Sequence, residues 1–204
     1  MSERTEHWDR VYSTKTETEV SWYQPRPERS LALIRSLAPD LATSVVDIGC
    51  GTSTLIEELW LAGYRDLTGL DASASAITWQ GARLVTAGAS VKLIVADLVD
   101  WQPDRSWGVW HDRAVFHFLT ERSTQDAYIR ALSKALLPAS IAIIATFALD
   151  GPVRCSGLPV QRYSASTLAE RLGSGFRLVS DVAERHITPS GAAQSFSYAA
   201  LQRL

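Results

Sequence analysis

From residue 44 to residue 147 the chain alternates short β-branched runs with segments whose apolar positions recur every three or four residues, the pattern of strands joined into a parallel sheet by crossover helices. The first strand covers 44–48 and runs through VVDI into a glycine turn, Gly49 to Gly51. A helix over 53–62 follows, with Leu55, Leu59 and Ala62 on one face, Glu57 and Glu58 outside, Thr52 or Ser53 to cap it and Gly63 to stop it. A strand over 66–71 ends at Asp71, and Ser73 caps a helix that turns Ile77 and Leu84 inward. VKLIVA is a third strand ending just before Asp97, and WGVWHD a fourth ending near Asp112. The apolar turn AVFHFL, a helix over 121–136 terminated by Pro138, and the fifth strand SIAIIATFA complete the series.

The flanks read differently. Residues 3–14 form an amphipathic helix carrying Trp8, Val11 and Tyr12, KTETEV is a polar loop, and the prolines of SWYQPRP break helical continuation. Pro27 suits the first turn of the next helix, in which Leu31, Ile34 and Leu37 recur at helical spacing before Pro39. After the fifth strand, DGPVRCSGLPVQRY is a long irregular insertion rich in Gly and Pro. Leu168 and Leu172 mark a short helix closed by Gly173, and two alternating segments, 175–187 and 194–203, are joined by the turn TPSG into an antiparallel hairpin.

Composition narrows the field. A length of 204 residues, 46% hydrophobic and 21% charged, suits a single domain over 1–204, with 1–40 as an N-terminal helical and lid segment. A net charge of −2 without a Lys/Arg run argues against a nucleic-acid partner. The longest apolar run, 139–149, is far below the roughly 20 residues of a membrane-spanning helix, so no membrane partner is expected. Two cysteines, Cys50 and Cys155, are too few for a disulfide framework, and the charged N-terminus lacks a secretory pattern, so a cytoplasmic location is expected.

Open α/β sheets bind ligands at the carboxyl ends of their strands, where Asp47, Asp71, Asp97 and Asp112 all fall. Asp71 stands 20 residues beyond Gly51, the spacing of a carboxylate that reaches the ribose of an adenine nucleotide. A dinucleotide fingerprint would have glycine at position 54, where this chain has Thr54. A phosphate-free nucleoside fits better. S-adenosylmethionine carries an adenosine, a sulfonium and an amino-acid tail, so a carboxylate such as Asp47 near its ammonium is favourable where a pyrophosphate would be repelled.

On these residues the chain resembles the class I, seven-stranded S-adenosylmethionine-dependent methyltransferases along essentially its whole length. The resemblance implies an α/β fold: a doubly wound seven-stranded, mostly parallel sheet in the order 3-2-1-4-5-7-6 with a C-terminal antiparallel hairpin. It also implies a cofactor site in which Asp47, Gly49, Cys50 and Gly51 line the turn, with Ser53 in place of the family's third glycine. Asp71 with Ala72 would hold the ribose, Asp97 with Leu98 the adenine, and Asp112 to His117 would form the fourth-strand motif. The form GCGTS is similar to a variant found in methyltransferases that include protein-lysine modifiers. The family's proline-glycine-glycine turn is here Pro138, Ala139, Ser140. Metal-assisted catechol methyltransferases and the Asn-Pro-Pro-Tyr type both use asparagine, which this chain lacks, so no metal is expected.

Methyl transfer to a nucleophile is an in-line displacement, for which a protein aligns the acceptor and removes its proton where it has one. His117 is the candidate base, or else a structural histidine, and Arg113 either orients an anionic substrate or pairs with a carboxylate. Asp112 is the third catalytic candidate, although a cofactor-side or structural role suits it better. Trp22, Tyr23 and Gln24 can fold over the cofactor as a lid supported by Trp8 and Tyr12, and aromatic faces stabilise a sulfonium. In the insertion, Arg154, Cys155, Arg162 and Tyr163 are candidate substrate contacts, with Cys155 a thiol acceptor or inert, while Cys50 fills space. His186 and Gln194 flank the last turn. The leading expectation is transfer to a small molecule with a thiol, amine or metalloid nucleophile. The alternatives are a protein-lysine methyltransferase and, in another class, a non-catalytic nucleotide-binding module. A dehydrogenase would have to bind NAD more tightly than S-adenosylhomocysteine. The oligomeric state is left open.

Overall fold

Val45, Val46 and Ile48 are β-branched residues that a strand accommodates better than a helix, and all three are buried in the computed structural model, which describes residues 2–204. They form β1 (Val45–Ile48), paired in parallel with β2 (Leu67–Asp71) on one side and β4 (Trp107–Arg113) on the other. Outside these lie β3 (Lys92–Val95) and β5 (Leu136–Phe147), also parallel. The chain then reverses, so that β9 (Ala193–Arg203) runs antiparallel to β5 and β8 (Phe176–Ile187) pairs outside β9. The seven strands stand in the order β3-β2-β1-β4-β5-β9-β8, which is the expected 3-2-1-4-5-7-6 once a separate hairpin of β6 (Arg154–Cys155) and β7 (Leu158–Pro159) is set aside.

Strand alternation divides the core between the two faces. Val46, Ile48, Trp110 and Ile144 pack with Tyr128 and Leu132 of α5 (Arg122–Ala135) and Leu168 of α6 (Ala165–Leu172). Val45, Val109 and Ile143 pack with Leu31 and Ile34 of α2 (Glu28–Leu37), Ile56 and Leu59 of α3 (Leu55–Leu61) and Leu84 of α4 (Ala74–Thr86). Each such side chain contributes roughly 1.5–3 kcal/mol by leaving water. The N-terminal helix, α1 (Glu3–Thr14), buries only Val11. It lies at the ligand end against α4, where Asp9 Oδ1 accepts from Ser73 Oγ at 2.8 Å and from Ser75 N at 2.9 Å.

Three local features differ from the pattern-based expectation. β5 begins at Leu136, before Pro138, but its pairing with β4 is interrupted between Leu136 and Ile141. Proline donates no ladder bond, and Ala139 at φ 71° turns the chain before the strand resumes. The insertion is not wholly irregular: Ser156 (φ 48°) and Gly157 (φ 78°) form the two-residue turn of the β6–β7 hairpin. Within KTETEV, Glu17–Glu19 make one 3-10 turn. Among the described residues, no helix is long and apolar enough to cross a membrane.

Tyr128 joins the core to the end of β4, since its hydroxyl accepts from Trp110 Nε1 at 2.9 Å and donates to Asp112 Oδ2 at 2.8 Å. Tyr128→Phe removes both bonds and leaves buried polar atoms without that partner, so urea denaturation should show a loss of about 2–3 kcal/mol.

Candidate active site

Gly49 (φ 63°) and Gly51 (φ 50°) both occupy the left-handed region, and neighbours use the space their missing side chains leave. A Cβ at Gly49 would collide with Val115, and one at Gly51 with the Tyr12 hydroxyl. Between them Cys50 points into the core near Ile56 and Gly69, and burial pushes its thiol well above its ordinary range, so it fills space. Ser53 Oγ accepts from Leu55 N at 3.2 Å, which caps the start of α3 from the turn, while the Ser53 carbonyl accepts from Gln80 Nε2 at 2.8 Å.

Asp71 closes the turn. Its Oδ2 accepts from Gly51 N at 2.9 Å and its Oδ1 from Ser73 N at 2.8 Å. Burial still outweighs these bonds and pushes its carboxyl up to about 6. Asp47, one strand over, shares a 2.7 Å hydrogen bond with His111 Nδ1, and His111 Nε2 lies 2.8 Å from Ser30 Oγ. His111 was not among the expected residues, yet it stands directly opposite Asp47 in the β1–β4 register.

A cavity of about 760 Å³, open mouth included, extends from this turn. Such a volume suits a ligand of nucleoside size or larger. One end presents Asp71 and Ala72 after β2, then Asp97, Leu98 and Val99 after β3. The other is walled by Trp8, Trp22, Phe118, Arg113 and Cys155. Trp8 meets Phe118 edge-on at 4.9 Å and Trp22 at 5.8 Å between ring centroids. Asp97 is held by Arg4 Nε at 3.0 and 3.1 Å and by Ser2 Oγ at 2.9 Å. Burial opposes ionisation of Asp97, but the Arg4 guanidinium overcomes it and holds the carboxyl below its ordinary range. A smaller cleft of about 540 Å³ shares Tyr12, Trp22, Gly49 and Arg113 and adds Asp47, Ser30, His111, Tyr23 and Ser53.

Several expected residues lie elsewhere. His117 is fully buried behind the wall: its Nδ1 accepts from Phe147 N at 3.3 Å, and burial lowers it to about 3. Its one basic nitrogen is therefore taken by a backbone amide, and its neighbour Phe118 reaches the cavity instead. Asp112 is also absent from the wall. It accepts from Val115 N, Phe116 N and Tyr128 Oη, which makes it the brace of the turn after β4. Arg154 is exposed and bonds to the Gly157 carbonyl, Arg162 ties the carbonyls of Leu149 and Gly151, and Tyr163 is a core residue that accepts from Gln125. Of the insertion candidates, Cys155 alone reaches the cavity wall. Arg113 reaches it as well, but is engaged by Tyr198, Trp22 and Glu184. No sequence signal marks Arg4, because its partner Asp97 is 93 residues away.

A family model described as a methyltransferase domain matches residues 45–139. EEF1A lysine methyltransferase 2 of Homo sapiens is 28% identical over 154 residues, covering 64% of this chain and 62% of that protein. The Mus musculus protein of the same name is 29% identical over 131 residues, covering 60% and 50%. The chain thus spans less than two thirds of either relative's length. Among solved structures, one described as "Conversion of a Disulfide Bond into a Thioacetal Group during Echinomycin Biosynthesis" matches with a TM-score of 0.77 at 24% identity, covering 98% of this chain and 92% of that one. N-methyltransferase NodS from Bradyrhizobium japonicum WM9, in complex with S-adenosyl-L-homocysteine, matches with a TM-score of 0.73 at 16% identity, covering 97% and 98%. The structural likenesses concern the fold. The matched domain, residues 45–139 with the glycine turn at its start, and the shared fold together make the chain similar to S-adenosylmethionine-dependent methyltransferases.

Proposed function

We propose that the chain transfers a methyl group from S-adenosylmethionine to an amine nitrogen, with a protein lysine side chain as the acceptor. The observation that carries this reading is the division of the cavity into a carboxylate-bearing end beside the glycine turn and an aromatic end walled by Trp8, Trp22 and Phe118. The residues of the first end suit the cofactor. Asp71 offers its remaining lone pairs to ribose hydroxyls, Leu98 and Val99 an apolar surface to the base, and Asp47 a negative charge to the ammonium. When bound, this cofactor supplies an electrophilic methyl on a positively charged sulfur.

At the aromatic end the chain's own part is to exclude water, align the amine and favour its unprotonated form. Desolvation by the aromatic rings lowers the pKa of an entering ammonium. His117 has no part in this reading, because its basic nitrogen faces the Phe147 amide. The names of the human and mouse relatives support a protein lysine over the small-molecule acceptor expected first. A small amine or thiol is the second reading, favoured by the hairpin tip: Ser156 comes within 3.5 Å of His7 on α1, beside the wall residues Cys155 and Trp8.

Tritiated S-adenosylmethionine offered with eEF1A, lysine-bearing proteins, small amines and small thiols should label protein, and prior reductive methylation of the lysines should abolish the label. Label in small acceptors alone favours the second reading, and none at all with S-adenosylhomocysteine still bound indicates a non-catalytic module. Asp71→Ala should weaken S-adenosylhomocysteine by tenfold or more, about the value of a charged hydrogen bond, in calorimetry. With Asp71 titrating at about 6, protonation below that pH removes its charge, so the dissociation constant should rise about tenfold from pH 7 to pH 5 and flatten in Asp71→Asn. His117→Gln should keep turnover within about threefold, whereas a loss of about 100-fold would restore its role as a base.

A further inference from the structure

Segment 20–24 contributes Trp22 to both cavities, yet it forms no helix or strand. Its start is anchored by the buried Val20. Beyond that, its ties run to the far side of the sheet. Arg113 Nη1 donates to the Trp22 carbonyl at 3.1 Å and Nε donates to the Tyr198 hydroxyl at 3.0 Å, while the guanidinium sits 4.4 Å over the Phe196 ring. His186 Nε2 donates to the Ser21 carbonyl at 2.7 Å, and burial lowers its pKa.

Glu184, on β8, completes this set from outside both cavities. Its Oε2 accepts from Tyr198 Oη at 3.1 Å and lies 3.6 Å from Arg113 Nη2, while its Oε1 accepts from Gln24 Nε2 at 3.0 Å. One carboxylate thus holds the segment at two points, Gln24 directly and Trp22 through Arg113. The side chains of Arg113 and Glu184 are only 10% and 14% exposed. Without the carboxylate, the guanidinium is a poorly solvated charge with no counter-ion, held only by the Tyr198 hydroxyl and the Trp22 carbonyl. The hydroxyl of Tyr198 accepts from one partner and donates to the other, so the charged ends reinforce its orientation.

We propose that Glu184 is a positioning residue for the acceptor wall: by fixing Arg113 and Gln24 it holds segment 20–24 so that the Trp22 indole stays packed on Trp8. The assignment of this wall to the acceptor rests on the function proposed above, whereas the clamp itself does not. Because Trp22 touches Trp8, which touches Phe118, release of the segment alters the whole aromatic end.

The test uses the full chain labelled with 5-fluorotryptophan, whose seven tryptophans give seven fluorine resonances, with Trp22 and Trp8 assigned by substitution to Phe. Glu184→Ala should shift and broaden the Trp22 and Trp8 lines and leave the other five unmoved, and Arg185→Ala, an exposed neighbour on the same strand, should move none. Should Glu184→Ala fail to fold, Gln24→Ala removes one of the two ties and should displace the same two lines by less. Unmoved Trp22 and Trp8 lines in the folded variants overturn the clamp, as does an equal change in all seven. n-Butylamine added to wild type saturated with S-adenosylhomocysteine should also shift these two lines, with a midpoint about fivefold higher in Glu184→Ala. No shift in wild type overturns the amine reading of the wall, whereas the clamp stands or falls on the fluorine spectra of the variants.

Discussion

The carboxylate of Asp71, buried between the amides of Gly51 and Ser73, is the joint on which the ligand end of the sheet is assembled. One oxygen fixes the glycine turn after β1 and the other the start of α4. Through Ser73 the joint extends to Asp9 and so to α1, which covers the turn. Burial without full compensation leaves this group readier to take a proton than an ordinary aspartate, a cost that a ligand donating to it would offset. Strand ends, turn and cover are thus referred to a single side chain.

Around that joint the charges are distributed unevenly. Asp47, Asp71 and Asp97 crowd the end near the turn, and the two guanidiniums on the cavity wall are committed, Arg4 to Asp97 and Arg113 to Glu184. Each guanidinium already faces a carboxylate, which offsets its charge toward an anionic substrate. The aromatic end therefore selects by shape and by its aversion to a hydrated charge, which suits an acceptor that enters as a neutral nucleophile.

The strands and their ends were legible because short apolar, β-branched runs bounded by turn residues mark where β1, β2 and β3 stop, and that placed Asp47, Asp71 and Asp97 at the ligand edge. The partners of those acids were not legible. His111 meets Asp47 only through the parallel register, and Arg4 meets Asp97 only because α1 folds across the edge. The turn after β4 reverses the roles expected for its residues. Asp112 captures the amides of Val115 and Phe116, curling the chain so that His117 turns into the core and Phe118 outward. Within the insertion, composition showed flexibility but not its use: Arg154 and Arg162 brace the loop's own carbonyls, and hairpin geometry alone brings Cys155 to the wall.

The helix that roofs the cleft is built unlike the layers beneath it. α1 fully buries one residue, Val11, and besides the edge contacts of Trp8 and Tyr12 it is fastened by polar bonds, the Arg4 ion pair to Asp97 and the hydrogen bonds of Asp9 at the start of α4, with Glu17 just beyond it bound to Arg83. Attractions of this kind weaken as dissolved salt screens them, whereas the apolar layers on the two faces of the sheet do not. Ionic strength therefore acts on the ion-paired share of the roof's fastening before it acts on the layers beneath.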